Sequence, residues 1–207
     1  LSDIPKSFES LINSKIRMHI QDLIVPEQHG FITGRSTTTN LLHFNNYVKN
    51  TMEDGYQCDS IYIDFEKAFD QVPHDVLHQV VHSFNITGSL SEWIMSYLTN
   101  RTQHARVFNV ISQPIIVSSG VPQGSHIGPT LFVMYMNNLP QYIHPVKCLG
   151  YADDFKIFKK INELKDCEEL QESLNGVLNW SSRFGLKMNV AKCVIMTHTK
   201  RTGTVSY

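Results

Sequence analysis

The 207-residue chain has no closely spaced cysteines, no long apolar run and no excess of positive charge. Cys58, Cys148, Cys167 and Cys193 are far apart in sequence and show none of the short paired spacings of a zinc site or a disulfide framework, so they read as reduced thiols. No apolar stretch approaches the roughly 20 residues that cross a bilayer, and no basic-then-apolar leader opens the sequence. The expectation is a soluble, intracellular chain with no membrane partner. Its 18 Lys and Arg against 19 Asp and Glu give a formal net charge of −1, which excludes a broad basic footprint. Any contact with nucleic acid must then rest on local charge or on charge supplied from elsewhere. Internal repeats and low-complexity segments are also missing, and a hydrophobic content of 42% is enough to bury the core of one or two subdomains.

The most informative residues present are Tyr151-Ala152-Asp153-Asp154, set between the apolar runs Val146 to Leu149 and Phe155 to Phe158. They read as a β-hairpin with two adjacent carboxylates at its tip. The two charges repel and find no local partner, and a bound cation is the simplest compensation. A third carboxylate, Asp64, sits at the end of the strand-like run Ser60 to Phe65, whose alternation puts Tyr62 and Asp64 on one face and Ile61 and Ile63 on the other. If these strands are neighbours, three acids converge. Hard oxygen ligands of this kind suit Mg²⁺, and a pair of such ions is the recurrent device of in-line nucleotidyl transfer.

Other segments frame that site. Ser7 to Leu23 and Thr38 to Met52 have helical apolar spacing and flank a loop at Pro26 to Arg35; further helices are expected at His74 to Phe84 and Leu90 to Thr99. Arg106 to Val117 alternates as a hairpin broken by Ser112-Gln113-Pro114. The stretch Ser119 to Pro129, with Gly120, Gly124, Gly128, Pro122 and Pro129, cannot be a regular helix or strand and lets backbone approach a ligand; the apolar run from Thr130 to Met136 follows as a buried helix. A long amphipathic helix carries Leu164, Cys167, Leu170, Leu174, Val177 and Leu178 and stops at Gly185, and strands close the chain from Leu186 to Thr199. His74, His78 and His82 fall at helical spacing among apolar residues, as an amphipathic helix and not a metal site.

Asp64-Phe65-Glu66-Lys67-Ala68-Phe69-Asp70, Gly120-Val121-Pro122-Gln123-Gly124-Ser125 with Gly128-Pro129, and Tyr151-Ala152-Asp153-Asp154 resemble, in order and spacing, motifs A, B and C of reverse transcriptases. Upstream, Gln28 to Thr37 looks like the fingers motif of the non-LTR, LINE-type retrotransposon enzymes, with a Jockey-like flavour. Trp180, Phe184 to Asn189 and Lys192-Cys193 are similar to their motif D.

The resemblance implies an α+β right-hand polymerase fold: a palm built as a split βαβ, ferredoxin-like antiparallel sheet with helices on one face, plus partial fingers. Residues 1–51 would be fingers and 52–207 mostly palm. The family's Arg-Pro-Ile block would precede Leu1, and its thumb is absent, so a fragment is expected. Asp64, Asp153 and Asp154 would be the catalytic acids, and the Phe65 carbonyl a further ligand of two Mg²⁺ ions, for which Mn²⁺ could substitute. Phe69 matches the steric gate against a ribose 2′-hydroxyl. Gln123 and Gly124 match residues beside the templating pair and the incoming dNTP, Lys192 the acid that protonates pyrophosphate, and Arg35 a contact to triphosphate or template. Implied partners are an RNA template, a DNA primer and dNTP, with room for an endonuclease domain in the full-length protein. Asn138 stands where an Asp is common in the family. A rival reading, a non-catalytic nucleic-acid-binding remnant of a decayed retroelement, is weakened by the intact acids; a nucleotide cyclase gives the Gly120 to Pro129 block no purpose.

Overall fold

In a computed structural model of the protein, residues 3–200 and 203–205 are described; the expected chain ends, Leu1 and Tyr207, lie outside them. In chain order the elements are α1 (Asp3–Ile20), α2 (Thr37–Glu53), β1 (Gln57–Ile63), α3 (Ala68–Gln71), α4 (His74–Ser83), α5 (Gly88–Leu98), β2 (Arg101–Gln103), β3 (Arg106–Val107), β4 (Val110–Ile111), β5 (Ile115–Val117), α6 (Gly128–Met136), β6 (Lys147–Tyr151), β7 (Asp154–Ile161), α7 (Leu164–Phe184) and β8 (Val194–His198). They form two compact units, one made of Leu1–Ile20 and Lys67–Tyr135, the other of Gln21–Glu66 and Met136–Tyr207. In the second unit α2 packs on β1 and β6 and so groups with the sheet.

The second unit holds a four-stranded antiparallel sheet in the order β6-β7-β1-β8. β1 lies inside it and is buried almost throughout, whereas the edge strand β8 is mostly exposed. Phe44 and Val48 of α2 pack with Cys58, Leu149 and Phe158, and each such apolar side chain contributes about 1.5–3 kcal/mol. On the opposite face, reached by the strand alternation, Lys159 forms ion pairs with Asp166 (3.2 Å) and Glu169 (2.9 Å) of α7. Helices therefore lie against both faces of this sheet, α2 on one and α7 on the other.

Local chemistry accounts for the ends of these elements. Ser36 caps α2 in a box with Thr39, and Gly185, with φ +79°, ends α7 at the position its sequence predicts. Trp180 of α7 is fully buried and its indole N–H donates to Asn138 Oδ1 at 2.7 Å, so an amide serves as acceptor where the family commonly has an acid. Burial pushes the thiols of Cys58 and Cys148 up to about 12, which makes them inert packing groups at neutral pH.

In the first unit, α1 lies along the start of α6. Buried Glu9 accepts from the Ile127 N–H (3.0 Å) and the Tyr97 hydroxyl (3.1 Å), and Asn13 accepts from Thr130 (2.7 Å). The α6 residues from Leu131 to Met136 are all buried, as their apolar run requires. The expected hairpin is present as two ladders, β3 with β4 and β2 with β5, and Ser112-Gln113-Pro114 falls in the break between them. Its outer ladder recruits Arg101–Gln103, a stretch with no apolar alternation to announce a strand. Where strands were expected from Leu186 onward, a 3₁₀ turn at Val190–Lys192 precedes the single strand β8.

Gly176 of α7 lies so close to the 3₁₀ turn at Leu139–Tyr142 that a Cβ there would fall 1.9 Å from the Tyr142 carbonyl oxygen. At an ordinary helical position Gly→Ala gains about 1 kcal/mol. Here Gly176→Ala is expected to lower stability by about 1–3 kcal/mol, as overpacking does, seen as a reduced Tm in thermal unfolding; an unchanged or higher Tm contradicts this contact.

Candidate active site

Asp64 follows the last residue of β1. The antiparallel register pairs Ile63 with Phe155, and one step further along it sets Asp64 alongside Asp154, the first residue of β7. β6 and β7 are joined by a two-residue turn, Ala152-Asp153, closed by the Tyr151 and Asp154 pair. Ala152 adopts φ +59°, the left-handed conformation that such a hairpin demands and that a non-glycine residue takes at a cost. Burial pushes the Asp153 carboxyl above its usual range, and the charges of Asp154 and Asp64 push it further, against a lowering hydrogen bond from its own backbone.

The turn is held from the loop before α2. Gln28, fully enclosed, accepts from the N–H groups of Ala152 (3.0 Å) and Gly30 (2.8 Å) through Oε1 and donates to the Ala152 carbonyl (3.2 Å) through Nε2. His29 N–H donates to the Gly150 carbonyl at 2.8 Å, Gly150 N–H to the Glu27 carbonyl at 2.9 Å, and Asn40 Nδ2 also reaches Gly150 O at 3.0 Å. Gly30 touches the turn so closely that a Cβ would fall 2.2 Å from the Ala152 nitrogen. Arg35 directs Nη1 at the carbonyls of Val25 and Gln28 and so clasps this loop from within.

The chain from Lys187 to Lys192 runs beside Asp64. Asn189 N–H donates to the Asp64 carbonyl (2.8 Å), Glu66 N–H to the Lys187 carbonyl (2.9 Å), and Phe65 bridges Met188 while its ring meets Trp180 edge-on. Lys192 Nζ comes to 3.9 Å from Asp64 Oδ2, with its side chain largely exposed. A cleft of about 340 Å³ beside these groups is lined by Asn40, Asp64, Tyr151, Asp154, Lys156 and Lys192. Lys156 is buried, its ammonium lies 4.5 Å from the centre of the Phe44 ring, and burial lowers its pKa.

Among the described residues no three His, Cys, Asp or Glu side chains gather closely enough to cage a metal alone. The donors do fit a hard cation that keeps water and substrate oxygens in its shell. Asp64 Oδ2 is buried without a hydrogen-bond partner, and Asp153 is held against two like charges. Asp64, Asp153, Asp154 and the Phe65 carbonyl are the oxygens available.

Phe69, Gln123 and Gly124 belong to the other unit and are described there. The Phe69 ring stacks on Phe132 of α6, with centroids 4.0 Å apart. Gln123 Nε2 donates to Asp70 Oδ1 at 2.9 Å, Ser119 Oγ to the Asp70 carbonyl at 2.8 Å, Val121 N–H to Phe69 O and Gly120 N–H to Val72 O, both at 2.8 Å. Gly120 has φ +87° and a Cβ there would lie 2.7 Å from Asp70 backbone, so the glycine block and the residues from Phe69 to Val72 are stitched into one surface. Gly124, at φ +77°, has open space around it. A cavity of about 610 Å³ opens here, lined by Lys67, Asp70, Arg101, Gln103, Ser119 and Gln123 among others.

Gln28, Asn40 and Lys156 carry site structure that the sequence reading did not assign. Lys156 had a signal, since it lies two residues after Asp154 and hence on the same strand face. Gln28 sits inside the quoted loop motif, but its partner is 124 residues away and nothing local reveals it.

Residues 1–206 match the family described as reverse transcriptase (RNA-dependent DNA polymerase). Similar proteins include the probable RNA-directed DNA polymerase from transposon BS of Drosophila melanogaster, 31% identical over 98% of this chain. The RNA-directed DNA polymerase from mobile element jockey of the same organism is 28% identical over 99%. The chain spans 23% of the length of each of these two relatives. Telomerase structures from Candida tropicalis share the fold: the apo form has a TM-score of 0.69 at 10% identity, covering 96% of this chain and 38% of that one. The form with a fragment of telomeric RNA has 0.65 at 12%, covering 97% and 34%. The chain belongs to the reverse transcriptase family, and its relatives are the non-LTR retrotransposon enzymes that the motifs resemble.

The raised Asp153 pKa makes a prediction for the metal-free fold. A carboxyl whose folded pKa exceeds its unfolded value costs stability once pH rises above the unfolded value, about 4, and costs most beyond the folded one. Asp153→Asn is therefore expected to raise the Tm of metal-free protein at pH 7, with the gain vanishing below about pH 4, where the acid is protonated in both states. A lower Tm at pH 7 contradicts the like-charge repulsion.

Proposed function

We propose that the chain is the catalytic part of an RNA-directed DNA polymerase that extends a DNA primer on an RNA template with dNTPs. The reading rests on Asp64 at the end of β1 beside the Asp153-Asp154 turn, in a chain of the reverse transcriptase family. On this reading the unit with the sheet is the palm.

Asp64 and Asp153, with the Phe65 carbonyl, would hold two Mg²⁺ ions, for which Mn²⁺ can stand in, and Asp154 adds to the negative field. When bound, such ions acidify the primer 3′-hydroxyl and neutralise charge on the pyrophosphate. Lys192 holds a proton on Nζ beside Asp64 and passes it to the departing pyrophosphate. The Phe69 ring, backed by Phe132, fills the volume that a 2′-hydroxyl would need. Gln123, tied to Asp70, and Gly124, which leaves open space, flank the incoming nucleotide and templating base. With a net charge of −1, phosphate affinity comes from local cations such as Lys67, Arg101, Lys156 and Lys192.

Primer extension on an RNA template by the full-length protein tests this. Extension should require a divalent cation, and Asp153→Asn should slow it by about 10²-fold or more. Phe69→Val should raise ribonucleotide incorporation relative to deoxyribonucleotide. No extension by the wild type would sink the polymerase reading, undiminished extension by Asp153→Asn would sink the assignment of that acid, and an unmoved ratio with Phe69→Val reduces that ring to packing.

A further inference from the structure

We infer that Gln28 is a positioning residue for the catalytic acids, an inference that rests on the polymerase reading of the same site and names what holds its geometry. Three facts carry it. The two-residue turn that presents Asp153 has little internal support, because Ala152 is a non-glycine residue at φ +59°. That conformation persists only where the surroundings over-determine it. Gln28 does so through both peptides that flank the Ala152 Cα, accepting the Ala152 N–H at 3.0 Å and donating to the Ala152 carbonyl at 3.2 Å.

The second fact is that the same Oε1 also accepts the Gly30 N–H at 2.8 Å, so one side-chain amide joins the turn to its supporting loop. With Gln28 only 2% exposed, water cannot replace these bonds, and losing the side-chain oxygen leaves two N–H donors buried and unpaired. The third is the rigidity of the loop behind it. Arg35 Nη1 grips the carbonyls of Val25 and Gln28, and backbone bonds from His29 and to Glu27 fasten Gly150 on the strand that enters the turn. Gly30 lies flush on Ala152, with no room for a Cβ. Gln28 thus transmits the position of a clasped loop to the residue before Asp153, without reaching substrate itself. Groups that orient metal-binding carboxylates typically govern metal affinity or activity by 10–100-fold.

The test uses the full-length protein and its Gln28→Leu, Gln28→Asn and Gln28→Glu variants. Mn²⁺ affinity is read by electron paramagnetic resonance, and kcat and KM for dNTP by primer extension. Leu removes all three bonds, Asn is one methylene too short to span both N–H donors, and Glu, which such enclosure keeps protonated, retains both the accepting oxygen and a donor for the Ala152 carbonyl. Leu and Asn should weaken Mn²⁺ binding and lower kcat by about 10–100-fold while KM stays within about twofold; Glu should keep both within about fivefold. If Leu fails to fold, the contrast of Asn with Glu decides. Equal losses in Asn and Glu, or wild-type affinity in Asn, overturn the proposal. Wild-type protein that binds Mn²⁺ but does not extend a primer defeats the polymerase reading and leaves the positioning role to the affinities; wild-type protein that does neither overturns both.

Discussion

The antiparallel register of β1 on β7 sets where the acids meet, because one residue beyond the Ile63 and Phe155 pair lies the step that joins Asp64 to Asp154. A slip of one residue would turn every side chain of β1 to the opposite face and carry Asp64 away from the cleft. The register is fixed by burial on both faces. Cys58 packs against α2 with Phe158, while the opposite face of β7 presents Lys159 to the acids of α7. Hydrophobic packing and a half-buried lysine between two acids thus specify a placement that the like-charged acids themselves oppose.

That opposition is resolved by support from outside the hairpin. Asp153 is pushed toward its neutral form by burial and by its neighbours, and Ala152 sits in a conformation it does not favour. The Gln28 amide, the backbone bonds at Gly150 and the absence of a side chain at Gly30 hold the turn against both costs. Stability given up at the tip matches a site whose charge is to be neutralised by a ligand.

Much of this was legible wherever the signal was local. Alternation announced β1, the paired apolar runs announced the β6 and β7 hairpin, and Gly185 announced the end of α7. What escaped was decided by distant partners. β2 reads Arg-Thr-Gln and becomes a strand only because Ile115 to Val117 lies opposite. The Arg35 side chain also clasps its own loop, through Nη1 on the carbonyls of Val25 and Gln28, and no local pattern announces those bonds. Lys156 alternates correctly with Asp154, yet its burial over Phe44 depends on α2 packing on that face. Strand alternation and the hairpin pattern mark the places of Asp64, Asp153 and Asp154, while the groups that support the turn leave no spacing rule in the sequence.

The central claim, that Asp64 and the Asp153-Asp154 turn form one cation-binding unit, is tested most directly by thermal unfolding of the protein across a Mg²⁺ titration. A ligand that binds only the folded state stabilises it by RT ln(1 + [L]/Kd). The account predicts a Tm that climbs with Mg²⁺ in the wild type and stays flat in Asp64→Asn. A wild-type Tm indifferent to Mg²⁺, or an equal climb in both proteins, would contradict it.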